Sequence, residues 1–210
     1  DGVFVRLGPP DVHPHQHLGP VRGVDTTGAR ADVDQRLALV SFAGSAAIVQ
    51  TPTRNREQLV EAIDRLELQR HTATGTGILT SLATLFPEQA SELTAANVPG
   101  GMARAFDQAQ GRSLDAKPAP EKPAFTPVPA GSNRSAAIIL LTDGRRTTGP
   151  DPIEAARMAA ERGVRVYTVG FGTAEGASVS FDGWSIFMRF DEEALKAIAD
   201  VTKASYFHAK

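Results

Sequence analysis

Asp143 ends the apolar run Ala136–Thr142 (AAIILLT) and is followed at once by Gly144. In an open α/β sheet, ligands sit beyond the carboxyl ends of the strands, so a carboxylate at such an end points into the crevice. Gly144 lets the chain turn away from it. Thr72 and Thr74 lie in the loop His71-Thr72-Ala73-Thr74-Gly75, directly before a helical stretch. Hydroxyls placed there can ligate a hard cation or cap the helix. Mg²⁺ prefers octahedral oxygen ligands, few carboxylates and several waters, and one Asp with hydroxyls suits it. Each residue also has a plainer reading: a strand-ending Asp-Gly is often only a turn, and a Thr before a helix is usually a cap. Neither residue alone marks a metal site.

Other residues with chemical potential fit less well. His13, His15 and His17 alternate, so on a strand they would share a face and could bind Zn²⁺ or Ni²⁺; a solvated loop is the competing reading. Gly170-Phe171-Gly172 follows a strand and hints at a dinucleotide loop, but Glu175 stands where the third glycine belongs and a hairpin follows instead of a helix. The sequence has no Gly-x-Ser-x-Gly and no phosphate-binding loop. Arg145 and Arg146, beside Asp143, read as solvated surface that could bias the rim toward acidic partners.

The elements that must position these residues follow from apolar periodicity. Arg36–Phe42 (RLALVSF) reads as a buried strand, and residues 46–50 as a second strand forming a hairpin with it. Thr51-Pro52-Thr53 should stop strand pairing and open a helix, in which Leu59, Ile63 and Leu66 recur at helical spacing. Gly75-Thr76-Gly77 reads as a turn, after which Ile78, Leu82 and Leu85 define a second helix. Residues 87–135 break the rhythm and hold seven of the 14 prolines. Within them 115–131 reads as an extended or disordered linker, and 102–110 as a helix. Ala136–Thr142 is a buried strand with a central place in the sheet. Asp151-Pro152-Ile153-Glu154 starts a helix, with Asp as cap and Pro at its first position, and Gly163 ends it. Residues 164–169 form the next strand. Asp182-Gly183 is a hairpin turn between 178–181 and 185–190. Asp191 caps a helix carrying Leu195, Ile198 and Val201, and 205–208 is a last short strand. Strands alternating with helices imply an α/β fold: a doubly wound, mostly parallel sheet covered on both faces, with an antiparallel edge strand.

Composition sets the bounds. A chain of 210 residues with 41% hydrophobic content suits one domain over 1–210, here with an atypical N-terminal segment 1–35 and a Pro-rich insertion at 87–135. A formal net charge of −2 gives no reason to expect a nucleic acid or an anionic membrane as partner. The absence of Cys excludes disulfides and thiolate metal sites. No apolar run approaches the roughly 20 residues needed to cross a bilayer, and no signal peptide is visible. The start at Asp1 instead of Met reads as a fragment or a processed form, so an anchor could lie outside the chain.

The segments LALVSFAG, TPTRNREQLVEAIDRL, TATG, IILLTDG, VRVYTVGFGTAEG and DEEALKAIADVTKASYFHA, in that order, resemble the Bat-type bacterial von Willebrand factor type A domain over residues 36–209. The resemblance implies a Rossmann-like sheet and a metal-ion-dependent adhesion site made of an Asp-x-Ser-x-Ser loop, a Thr and an Asp. It implies Thr72 as that Thr and Asp143 as that Asp, with Thr74 and Gly144 in support. The implied ion is Mg²⁺, with Mn²⁺ or Ca²⁺ as alternatives, and an acidic residue of a partner protein completes its shell. The function so implied is an adhesion or assembly module, not an enzyme. The implied location is extracytoplasmic, with a membrane anchor in the full-length protein.

The chain departs from this pattern in one respect: it contains no Asp-x-Ser-x-Ser. Asp11-Val12-His13-Pro14 resembles an Asp-Val-x-Pro stretch of Bat-type domains, which would bring Asp1 close to the first ligand position, yet residues 2–5 include no Ser. Residues 3–6 are the candidate for the first strand. Synonymous codons can be chosen for residues 1–5 (GAC GGT GTC TTC GTC) that, with one G deleted and the first base of the Arg6 codon borrowed, give Asp-Val-Ser-Ser-Ser, so a reading-frame slip, with a compensating slip before LALVSF, would account for the loss; a divergent N-terminus is the rival. Metal binding in this chain is accordingly expected to be weak or absent. A metal-independent scaffold is the alternative. A hydrolase or nucleotide-binding enzyme on a similar sheet is a third reading, disfavoured because no nucleophile–base motif surrounds Asp143.

Overall fold

The computed structural model describes residues 2–7, 35–67, 69–95, 125–142, 145–171, 177–181, 184–188 and 191–209, with backbone alone for 2–7, 177–181 and 184–188. In chain order the strands are β1 (Gly2–Leu7), β2 (Arg36–Phe42), β3 (Ala46–Thr53), β4 (Ala136–Thr142), β5 (Arg165–Phe171), β6 (Ala177–Phe181), β7 (Trp184–Met188) and β8 (Tyr206–Ala209). The helices are α1 (Arg56–Asp64), α2 (Thr74–Leu85), α3 (Ala90–Ala95), α4 (Pro152–Glu161) and α5 (Glu192–Val201), with a 3-10 turn at Pro87–Gln89.

Six strands form one sheet in the order β3-β2-β1-β4-β5-β8, and β6 pairs with β7 in a separate hairpin. β4, β5 and β8 are parallel, and β3 is an antiparallel edge on β2. This is the expected doubly wound α/β arrangement, with AAIILLT in the middle. One feature was not foreseen. β1 fills the slot between β2 and β4 but runs antiparallel to both, with Gly2 opposite Ser41 and Leu141, and Leu7 opposite Arg36 and Ala136. A vacant slot would leave two rows of backbone donors and acceptors unpaired, and a short extended segment can satisfy them in either direction.

Period-2 alternation sorts the strand residues between two faces. Ala38, Val40 and Phe42 of β2, Ile138 and Leu140 of β4 and Val166 of β5 are buried beneath α2, α3, α4 and α5. Those helices contribute Ile78, Leu79, Leu82, Leu93, Leu195 and Ile198. Three alanines of α4, Ala155, Ala156 and Ala159, let that helix approach closely. The opposite face is covered by α1, where Leu59 and Ala62 pack on Leu39. Farther along that face, Ile139, Leu141, Tyr167 and Val169 are only half-buried.

Several boundaries differ from expectation. β3 continues through Pro52 to Thr53, because an edge strand has one side on which a missing N–H costs nothing. α1 ends at Asp64, and Ile63 and Leu66 are exposed. α4 starts as expected, with the Asp151 carboxylate accepting from the amides of Ile153 (2.8 Å) and Glu154 (3.3 Å). It ends at Gly163, φ 70°. α5 is capped by Asp191, which accepts from the Ala194 amide at 3.2 Å. On its surface Lys196 lies 2.9 Å from Glu192 and holds that carboxyl below its usual range through a hydrogen bond. His13, His15 and His17, the helix expected at 102–110, the turn Asp182-Gly183 and most of the linker lie outside the described residues.

The ends of the Pro-rich insertion are ordered by Arg162, a buried guanidinium at the end of α4. Its Nε donates to Gln89 Oε1 (2.8 Å) and its Nη1 to the Met158 carbonyl (3.0 Å). The group also stacks 4.2 Å from the centroid of Phe125. Its Nη2 has no hydrogen-bond partner but lies 3.5 Å from Glu92. Val128 is fixed as well, its amide donating to the Glu161 carbonyl at 2.7 Å. Both flanks of 96–124 are thus tied to one point. Shortening that segment to a brief Gly/Ser linker is expected to change stability by about 1 kcal/mol or less, since loop-closure entropy varies slowly with length. Thermal denaturation checks this, and a loss of many degrees would show that the segment contributes to the core.

Candidate metal centre

The carboxyl ends of β2, β4, β5 and β8 lie at one edge of the sheet, and the Gly2 end of β1 joins them there. The starts of α2, α4 and α5 gather round a cavity of about 260 Å³ lined by Thr74, Arg145, Arg146, Asp151, Asp191 and Leu195 among others. The two carboxylates on its rim are engaged in capping, and Arg145 Nε lies 3.8 Å from Asp191 Oδ2 in an exposed pair.

Thr72 and Thr74 are both buried, at 9% and 4% exposure. The expected capping role is not what they perform. The residue at the cap position of α2 is Ala73, and no side chain caps this helix. Among the described residues neither threonine hydroxyl has a hydrogen-bond partner. His71, just before them, has φ 74°, a left-handed conformation that costs a non-glycine residue about 1–2 kcal/mol. Strain of this kind persists where surrounding contacts over-determine the backbone.

Those contacts come from the loop that follows β4. The Thr72 amide donates to Thr147 Oγ1 at 2.8 Å, and the Thr147 amide donates to the Thr72 carbonyl at 3.0 Å. Gly75 is not a turn residue, as expected from sequence, but part of the first turn of α2. A Cβ there would fall within 3.0 Å of the Pro150 carbonyl, so only glycine admits the loop. Gly149 has φ 79°, and a Cβ on it would meet Thr76 Oγ1 at 2.8 Å. Sequence patterns had not singled out Thr147. The Thr147-Thr148-Gly149-Pro150 run signals a loop, and nothing in its spacing indicates which loop it touches.

Asp143, Gly144 and Asp1 lie outside the described residues. Their neighbours are placed: Thr142 is buried at 1% exposure at the end of β4, and Arg145 resumes the chain on the rim of the cavity. Among the described residues no three His, Cys, Asp or Glu side chains cluster to hold a metal. Of the two hydroxyls singled out in the sequence, that of Thr74 belongs to a residue lining the cavity.

The sequence profile of the von Willebrand factor type A domain matches residues 122–209. A UPF0353 protein of Nocardia farcinica is 34% identical over 188 residues, covering 82% of this chain and 45% of that protein. A UPF0353 protein of Mycolicibacterium vanbaalenii is 34% identical over 179 residues, with 82% and 43% covered. The chain thus spans less than half the length of these relatives. Among solved structures, an aerotolerance-related membrane protein from Bacteroides fragilis superposes with a TM-score of 0.52 at 19% identity, covering 83% of this chain and 72% of that one. The conserved hypothetical protein BatB from Bacteroides thetaiotaomicron gives 0.51 at 21%, with 83% and 71% covered.

Proposed function

The chain carries a von Willebrand factor type A domain related to Bat-type proteins, and from that premise we propose that it is a protein-binding module whose crevice takes a divalent cation through Thr72 and Asp143. The observation that carries this reading is the placement of Thr72: a buried residue on a strained loop, bonded through its backbone to Thr147 in the loop that follows β4. Thr72 would supply a neutral oxygen and Asp143 the charge, with Thr74 and Gly144 in support and water filling the remaining positions. The ion would be Mg²⁺, or Mn²⁺ or Ca²⁺. A carboxylate from the partner protein would complete the shell, and the exposed Arg145 and Arg146 would steer it. Binding, not catalysis, is the activity proposed. The full-length protein would sit outside the cytoplasm on a membrane anchor; the Bacteroides fragilis protein of similar fold is named a membrane protein. No described helix is long and apolar enough to cross a membrane, and the anchor would belong to segments outside this chain.

The direction of β1 favours a second reading, a scaffold that binds its partner without metal. A strand that starts at the crevice and runs away from it presents no following loop there, and the Asp-x-Ser-x-Ser ligands have no counterpart. A cation held by one carboxylate and one hydroxyl should be bound weakly, with Kd about 10⁻⁴–10⁻³ M or above, since charge count and rigidity set affinity. Calorimetric titration with Mn²⁺ separates the two readings. The cation reading expects weak saturable binding that falls at least about tenfold in Thr72→Val, the order of what even outer-shell partners are worth. Binding indifferent to Thr72→Val places the site elsewhere, and no binding at all leaves the scaffold.

A further inference from the structure

The hairpin of β6 and β7 forms a sheet of its own, and among the described elements the two strands have no substantial neighbour but each other. Its register sets Ala177 opposite Met188, Val179 opposite Ile186 and Phe181 opposite Trp184, so period-2 alternation places these six on one face. The other face holds Ser178, Ser180 and Ser185, with Phe187 as its one apolar residue. Neither strand contains a charged residue. A two-stranded hairpin alone is at best marginally stable in water and needs a further layer on its apolar face. The hairpin also departs from an apolar corner of the main sheet. Phe171, the last residue of β5, is 40% exposed, and Phe207 of β8 is 54% exposed. Val169 pairs with Phe207, which puts both phenylalanines on the half-covered face of the sheet. Five residues separate Phe171 from β6, so the hairpin stays within roughly 20 Å of that corner.

We propose that the apolar face of this hairpin is an interface between two copies of the chain, packed hairpin to hairpin about a two-fold axis, with Phe171 and Phe207 at its border. An uncharged apolar face has nothing to repel its own copy, and like packs on like in a two-fold contact, the commonest symmetry of homo-oligomers. It also lacks the charges by which a surface selects a different protein. The area is of the right order for a second copy. At about 150–250 Å² per buried aromatic, Phe181 and Trp184 would contribute roughly 300–500 Å² from each chain. Val179, Ile186 and the exposed Phe171 and Phe207 carry the two-copy total past the roughly 1,000 Å² that a specific interface needs. A total at the lower end of that range gives a dimer that dissociates on dilution. The contact makes no use of a cation in the crevice and is independent of that reading.

The test uses the whole chain and its single tryptophan, Trp184. Sedimentation is measured over a wide range of concentration, beside Trp184 emission and its quenching by acrylamide. The expected result is a reversible monomer–dimer equilibrium in which emission shifts to the blue and quenching falls as the dimer forms. Ile186→Asp sets two carboxylates in an apolar contact and should weaken association at least about a hundredfold, the order expected for burying unpaired polar groups. Ile186→Ala removes side-chain area from both copies without adding charge and should weaken it at least about tenfold, with circular dichroism unchanged. Ser180→Asp places the same charge on the opposite face and should leave association as it is, which separates a lost interface from a lost hairpin. A chain that stays monomeric with Trp184 open to acrylamide overturns the inference. So does a monomer with Trp184 already shielded, because the chain then covers the face itself. A dimer that survives Ile186→Asp places the interface elsewhere, and equal loss in Ser180→Asp shows dependence on the hairpin but not on this face; either result overturns it. A monomer whose emission shifts only when phosphatidylcholine vesicles are added assigns the face to lipid instead.

Discussion

Replacing β1 with a strand that runs parallel to β4 and ends in Asp-x-Ser-x-Ser is expected to tighten Mg²⁺ binding by at least about a hundredfold. The graft adds one carboxylate and two hydroxyls to the crevice. Hydrogen bonds to charged groups contribute about 1.5–3 kcal/mol each, and about 1.4 kcal/mol is a factor of ten; two effective ligands already reach the stated gain. Direction matters as much as composition. Val5 stands opposite Ile138 and Ala38, well inside the sheet, so serines installed at positions 3 and 5 of the existing strand would not reach the edge. The double variant Val3→Ser, Val5→Ser should therefore leave affinity unchanged. Calorimetry on the graft and the double variant decides this, and equal gains in both would show that β1 does not run as described.

Leu140→Ala is expected to cost about 2–5 kcal/mol, the range for a buried large-to-small change. In a chain of this size that lowers the thermal midpoint by roughly 4–20 °C. Leu140 is fully buried beneath the helices, whereas Leu141, its neighbour on the same strand, faces the other side and is half-buried. Leu141→Ala should cost well under half as much. Equal losses at the two positions would contradict the unequal cover of the two sheet faces.

The strands and capped helices were legible because their signals are local. AAIILLT, the Asp151-Pro152 start of α4 and its Gly163 end each state their structure within a few residues. Gly75 and Gly77 misled, because a glycine that admits another chain looks the same in sequence as one that turns. Gly75 makes room for Pro150, and a Cβ on Gly77 would meet the Phe42 ring at 2.9 Å. Pro52 misled in a similar way, since its effect on pairing depends on whether the strand is an edge. The direction of β1 could not be read at all: a period of two is the same forwards and backwards. Thr72 was singled out through its place in a recognisable segment, but its partner Thr147 acts across 75 residues through one hydroxyl and one amide and leaves no periodic trace.

The central claim is that Asp143 supplies the charge of the cation site, and a Mg²⁺ titration of Asp143→Ala beside the parent chain tests it most directly. The expected result is weak, saturable binding in the parent and none in the variant, with the same thermal midpoint and circular dichroism in both, since position 143 follows the last residue of β4 and is not among the buried core residues. Mg²⁺ binding that persists undiminished in a folded Asp143→Ala chain would contradict it.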